Sequence, residues 1–474
     1  MNTIIGRKKE QRLLEEYYYS DKAEFVVVCG RRRVGKTFLI RECYRDKFAF
    51  YLSGAENATK TAQLKNFNVA INTYSGYPYP FINDWQDAFL QLQHYIENKA
   101  TKEKIVLFFD ELPWLDNKKS GFLSVFEYFW NTFASTRQNI LLIACGSATS
   151  WIVNKIINSR GGLHNRVTRQ IFLEPFTLQE TEQFLKSRNI AMKRIQIIEC
   201  YMIMGGIPYY LEQLDRTTSL LQNIDNLFFA KNGILRNEFP RLFSSLFKNS
   251  ENYVKIIKAL GKKNKGLTRD EIIFITKIAD GGRLSKTLDE LELCGFIRID
   301  DSFNNKKKNR LYQLTDFYSM FYLNFVDSKK NTAENYWVNI ADSSTYKAWC
   351  GFSFEKLCMA HLPQIRRKLG ISGVLSFTSS WRYFNEENGA QIDLLIDRKD
   401  NVINVCEMKY AQKEYQITKR DDESFRNKIA LFQEDTKTRK TIHFTLISTY
   451  GAKRNEYWGG IQSEVTMNDL FELN

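Results

Sequence analysis

Proline is scarce, seven residues in 474, and no low-complexity tract or internal repeat breaks the chain, which excludes a disordered or solenoid architecture. No run approaches the ~20 apolar residues that a membrane-spanning helix requires. The opening MNTIIGRKKEQ lacks the apolar stretch of a signal peptide, so no membrane partner is expected and the cytoplasm is the expected compartment. The eight cysteines (29, 43, 145, 200, 294, 350, 358 and 406) stand singly with no CxxC pair, which argues against a disulfide scaffold or a zinc ribbon. They read as reduced core residues.

What is present is a globular composition, 43% hydrophobic and 14% aromatic. A chain of 474 residues exceeds what one core organises, so roughly two to four domains are expected. Lys and Arg number 68 against 54 Asp and Glu. The resulting net charge of +14 favours polyanions, and nucleic acid, DNA above all, becomes the expected macromolecular partner.

The first third alternates short β-branched runs with amphipathic stretches, the pattern of an α/β domain whose parallel sheet is covered on both faces. Strands are expected at 25–29, 48–52, 105–109, 140–145 and 170–173, each buried on both sides. From Leu178 the sequence turns helical, with Thr177 as an N-cap and a break at Gly205-Gly206-Ile207-Pro208. Three further helical segments and two strands around the polar NNKKKNR follow, the order of a winged helix. After about Tyr346 a helix, FSFEKLCMAHLPQIRRKL, leads into short strands and a separate α/β domain. The expected boundaries are 1–176, 177–247, 248–327 and 346–474.

Gly30-Arg31-Arg32-Arg33-Val34-Gly35-Lys36-Thr37 satisfies GxxxxGK[ST] between the apolar EFVVVC and the helical TFLIRECY. Glycines let backbone N–H groups face phosphate oxygens at a helix N-terminus, where the helix dipole already favours anions. Lys36 is expected on the β and γ phosphates, Thr37 on Mg²⁺, and Phe38 next to the loop. IVLFFDELPWL supplies a strand ending in two acids. Asp110 is expected to hold Mg²⁺ through water, and Glu111 to act as the general base on the attacking water. Ser147, ending NILLIACGS, is placed to orient that water, and Arg166 is a candidate to reach a phosphate in its own or a neighbouring subunit.

With these motifs, together with IIGRKKEQRLLEE and GGIPYYL, the chain resembles the archaeal-type ATPases of the STAND and AAA+ branch of P-loop proteins over residues 1 to 240. The resemblance implies a helical lid over 177–247 and places Ile5, Gly6 and Arg7 near the adenine end of the site.

Two other regions carry chemistry. In GRLSKTLDELELCGFIRID a helix precedes a strand, and Lys306, Lys307, Lys308 and Arg310 fall where a wing would turn and meet phosphates. Asp289, Glu290 and Glu292 on the same helix oppose that reading. Further on, GAQIDLLIDRKDNVINVCEMKY aligns Asp393 with Glu407 and Lys409, two acids for Mg²⁺ and a lysine for the nucleophile or the phosphate charge. Glu355 on the preceding helix completes the cluster, and Gln391 helps position the strand. These residues resemble the PD-(D/E)XK nuclease superfamily, which implies a restriction-endonuclease-like fold from about Phe352 to Thr449. Together the motifs predict a Mg²⁺-dependent ATPase whose nucleotide state controls a nuclease-like, DNA-acting domain. The alternative is a STAND-type signalling switch with a non-catalytic terminal module, and a homo-oligomer is open in either case.

Overall fold

Five apolar runs in the first 175 positions pair into one parallel sheet: β1 (Glu24–Cys29), β2 (Phe48–Ser53), β3 (Ile105–Asp110), β4 (Ile140–Gly146) and β5 (Arg169–Phe172), in the order β2-β3-β4-β1-β5. The computed structural model describes residues 3–99, 101–117, 120–147, 149–158, 163, 165–247, 249–300, 302–303, 310–327, 335–384 and 389–472. It divides into two compact units, Met1–Pro175 and Phe176–Asn474.

In the first unit the central strands β1, β3 and β4 are buried at every position, because they carry neighbours on both sides and apolar side chains on both faces. The edges depart from the expected two-sided burial. In β5 only Ile171 is buried, since an edge strand has a single neighbour and Arg169 and Gln170 turn outward. The helix Trp85–Glu97 shows how the core is filled. Asp84 caps it by accepting from the Asp87 N–H at 2.9 Å, and Trp85, Ala88, Phe89, Leu92 and Ile96 form a buried stripe at helical spacing. Phe89 packs 5.9 Å from Phe109 of β3, centroid to centroid, and burying each such ring contributes roughly 2 kcal/mol.

The strand registers decide where chemistry can sit. Cys29 pairs with Gly146, Phe109 with Ala144, and Ser53 with Asp110, so β1, β3 and β4 end on one edge of the sheet. The segments that follow, from Gly30, Glu111 and Ser147, therefore emerge side by side, at the carboxyl edge where open α/β sheets bind ligands.

The second unit opens on helix Leu178–Ser187, which Thr177 and Glu180 close with a capping box. Helix Arg194–Met204 stops at Gly205 in the left-handed region, and Pro208 begins the next short helix, as the break predicts. Helices Glu251–Gly261, Arg269–Thr276 and Gly282–Leu293 precede an antiparallel pair, β6 (Ile297–Asp300) and β7 (Leu311–Leu314). Lys306, Lys307 and Lys308 lie outside the described residues. Arg310 is partly buried. Glu290 turns inward to accept from the Tyr253 hydroxyl, so it does not add charge to the outer face of its helix.

The long helix expected near the C-terminus is two: Ser344–Ala360 and Leu362–Lys368, separated at His361 because Pro363 has no N–H to continue the ladder. A five-stranded mixed sheet completes the unit: β8 (Ser376–Phe384), β9 (Gly389–Arg398), β10 (Val402–Lys409), β11 (Thr441–Ser448) and β12 (Ser463–Thr466). β8, β9 and β10 are antiparallel neighbours, whereas β10, β11 and β12 run parallel. Helix Lys419–Thr436 makes the β10 to β11 crossover, and Phe425 and Phe432 pack into the sheet core beside Trp381, Val405 and Phe444. Among the described residues no helix is long and apolar enough to cross a membrane.

Candidate functional sites

The first site begins where β1 stops. Gly30 has φ +146, and a Cβ there would lie 2.2 Å from the Leu173 carbonyl oxygen, so only glycine lets the chain turn away from the sheet. Arg33 and Gly35 also take positive φ, and Gly35 caps helix Lys36–Tyr44. The loop thus ends on a helix N-terminus, where the backbone amides and the dipole favour an anion.

Lys36 is buried and its ammonium is held over the loop, donating to Gly30 O at 2.8 Å, Arg31 O at 2.9 Å and Ser147 Oγ at 3.4 Å. A phosphate oxygen arriving in the loop would find this charge already in place. The Thr37 hydroxyl donates to Asp110 Oδ1 and Oδ2 at 3.1 and 2.9 Å. Burial and then the neighbouring Glu111 push the Asp110 carboxyl above its usual range, against hydrogen bonds from Thr37, the Cys145 thiol and the Glu111 N–H. A carboxylate crowded in this way is relieved by a cation, and the Thr37 oxygen beside it suits a hard ion.

Glu111 occupies the left-handed region (φ 45, ψ 45). Its carboxylate accepts from the Ser147 N–H at 3.0 Å and the Ser147 hydroxyl at 2.6 Å. Ser147 thus links the loop lysine to Glu111, the acid that follows β3. The N-terminal segment reaches the loop as well: Arg7 is buried and donates from Nη2 to Val34 O at 3.3 Å, while Gln11 fixes the Gly6 carbonyl at 2.7 Å. Arg31 is buried, Arg32 and Arg33 are partly buried, and Phe38 is 43% exposed.

Arg166 is set apart from the loop in sequence and strand direction. Val26 pairs with Arg169 and Cys29 with Phe172, so Arg166 lies before β5, at the sheet edge opposite the loop. Six residues of strand and turn separate it from the phosphate end, a span on the order of 15 Å or more. The side chain is exposed.

The second site lies in the C-terminal sheet. Leu394 pairs with Cys406, which places Asp393 and Glu407 next in register across β9 and β10. Gln391 donates to Asp393. Glu407 forms ion pairs with Lys409 at 2.9 Å and with Lys428, from helix Lys419–Thr436, at 2.8 Å. Burial alone would raise the Glu407 carboxyl, but Lys428 and then Lys409 outweigh it and hold the group below its ordinary range. Glu355 goes the other way, raised by burial first and by Asp393 next. The adjacent Lys356 is lowered to about 8 by burial and the nearby Arg298.

Lys428, Lys356 and Arg382 belong to this cluster and carry no motif that would have disclosed them, being brought in by the crossover helix, the long helix and the β8 edge. Among the described residues no group of three or more His, Cys, Asp or Glu side chains is arranged to hold a metal ion. A divalent ion at either site would therefore draw on hydroxyl, water and phosphate oxygens besides one or two carboxylates.

Comparison with known proteins fixes the class of the first site. Residues 4–214 match the family described as an ATPase domain predominantly from Archaea. The Walker-type ATPase of Pyrococcus abyssi has a similar fold, with TM-score 0.50 and 18% identity over 68% of this chain and 96% of its own. An uncharacterised protein of Methanocaldococcus jannaschii is 26% identical over 401 residues, 83% of this chain and 84% of its own length. That likeness is longer than the 4–214 match and so runs on into the second unit. An uncharacterised ATP-binding protein of the same organism is 42% identical over 44 residues, 9% of this chain and 75% of its own. Over residues 4–214 the chain thus resembles an archaeal-type ATPase domain.

Proposed function

We propose that this protein is a Mg²⁺-dependent ATPase whose nucleotide state governs a nuclease-like second unit acting on DNA. The observation that carries the ATPase half is the line Thr37–Asp110 and Lys36–Ser147–Glu111 along the carboxyl edge of β1, β3 and β4. In this reading the loop amides and Lys36 bind the triphosphate. Thr37 and Asp110 serve Mg²⁺, directly and through water. Glu111, released from Ser147, takes the proton of the attacking water, which Ser147 orients. Gly6 and Arg7 border the nucleotide through Val34.

The second unit divides, in this proposal, into a lid (177–247), a winged helix (248–327) and a nuclease-like domain (346–474). Support comes from the three helices ahead of the β6–β7 pair and from the placement of Asp393, Glu407 and Lys409 on adjacent strands. Contacts inside the unit tie the lid helices to the terminal sheet. The Tyr410 hydroxyl donates to Glu199 at 2.7 Å, and the Leu178 N–H to His361 Nε2 at 3.0 Å. A displacement of the lid on nucleotide binding would be felt at the residue next to Lys409.

A specific observation favours the second reading, a non-catalytic terminal module. Glu407 is already neutralised by two ammonium groups, which compete with a metal ion for it. Plasmid incubated with the full chain and Mg²⁺, with and without ATP, decides between them. Cleavage abolished by both Asp393→Ala and Lys409→Ala supports the nuclease. Absence of cleavage alongside intact ATP turnover supports the module, and cleavage that survives both substitutions removes the nuclease from this chain.

A further inference from the structure

The loop between helix Glu251–Gly261 and helix Arg269–Thr276 presents Lys262, Lys263 and Lys265, all exposed, and no ion pair engages them among the described residues. The loop is firmly built. The Gly266 N–H closes a turn on Lys263 O at 2.9 Å, and Leu267 and Tyr312 exchange both backbone bonds, at 3.0 and 2.8 Å. Gly266 takes φ +85 with a would-be Cβ 2.8 Å from the Tyr312 carbonyl oxygen, so this turn packs directly on β7.

The loop also sits at the second site. Lys263 and Asn264 share a small cavity with Ser353 and Lys356, which flank Glu355 in the long helix. Arg382 of β8, opposite Gln391 in register, donates from Nη2 to the Lys265 carbonyl oxygen, while its buried Nε has no hydrogen-bond partner. Lys265 and Asp393 act electrostatically on Glu355, and Asp393 on Arg382, so loop, helix and strand meet around the same acids.

We propose that Lys262, Lys263, Lys265 and Arg382 form the phosphate-binding lip of the second site, so that a nucleic-acid backbone is gripped jointly by the helical part of the unit and the terminal sheet. This rests on the reading of that site as one that faces nucleic acid, and it adds the element that holds the polymer. The chemistry is that of a phosphodiester chain: regularly spaced single charges suit closely spaced lysines, and the guanidinium matches a phosphate in two-point contact. Exposed, unpaired ammonium groups lose little hydration before meeting phosphate, and each phosphate neutralised adds to the salt dependence of binding.

The test uses the full chain in EDTA, so that binding is read apart from cutting. Fluorescence anisotropy is measured over a range of salt with a labelled DNA duplex, its single strand and a polyglutamate peptide. Replacing Lys262, Lys263 and Lys265 together by alanine should weaken binding of either DNA at least about tenfold and reduce the log–log salt slope by about 2 to 3. The thermal midpoint of the variant reports that the fold is kept. Unchanged affinity and slope overturn the lip, and so does peptide binding as tight as DNA binding and lost on the same substitution. Asp393-dependent cleavage with full DNA affinity in the lysine variant sinks only the lip. Lip-dependent binding without any cleavage in Mg²⁺ sinks only the nuclease.

Discussion

Ser147 is the residue on which the first site turns, because it touches both the loop lysine and Glu111, the acid after β3. Its Oγ accepts from Lys36 and donates to Glu111, so a phosphate that draws Lys36 forward also changes what holds Glu111. Ser147→Ala should lower kcat about tenfold with a smaller change in KM, since the hydroxyl acts after nucleotide is bound. A raised KM with unchanged kcat would assign it to binding alone. Glu111→Gln, isosteric but without a base, should keep nucleotide affinity and lose about a hundredfold or more of turnover. Retained turnover measured by phosphate release would mean that another group takes the proton. These residues were legible in the sequence because each ends an apolar strand or fills a fixed motif position. Lys428 and Arg382 were not, because a crossover helix and an edge strand bring them to the acids from distant positions, and spacing carries no trace of that.

At the scale of elements, the strands of the first unit could be read to within a residue because their central members are apolar throughout. What a one-dimensional pattern missed was the difference between centre and edge, which exposes β5, and the consequence of strand direction, which carries Arg166 to the far edge. The helix break at His361 was missed because apolar spacing continues through it. His361 is buried there, accepting from Leu178 N–H at Nε2, with Nδ1 2.8 Å from Leu357 O. Burial lowers it from 6.5 to about 4, against the opposing pull of the Leu357 carbonyl. The folded chain therefore keeps it neutral while the unfolded chain takes up a proton. The stabilisation is complete above pH 6.5 and is lost as the pH falls towards 4, about 3 kcal/mol in all. Urea titrations of wild type and His361→Gln should show this acid loss only in the wild type, and the same slope in both would contradict the assignment. Thr177→Ala removes the capping hydroxyl that accepts from the Glu180 N–H and should cost the second unit about 1 kcal/mol in the same titration.

For the whole molecule, the chain carries a net charge of +14 and places one acid–lysine cluster in each unit. The nucleotide loop lies wholly within the first and the unpaired lysine loop wholly within the second. The family match ends at residue 214, whereas the likeness to the Methanocaldococcus jannaschii protein continues past it into the second unit. Ligand that binds only the folded first unit stabilises it by mass action, about 2.7 kcal/mol at a hundredfold excess over Kd. Calorimetric titration of Mg²⁺–ATP into the full chain and into Lys36→Ala tests nucleotide binding at this loop. One saturable site per chain is expected in the wild type and no heat of binding in the variant. Equal binding by both proteins would contradict binding at this loop.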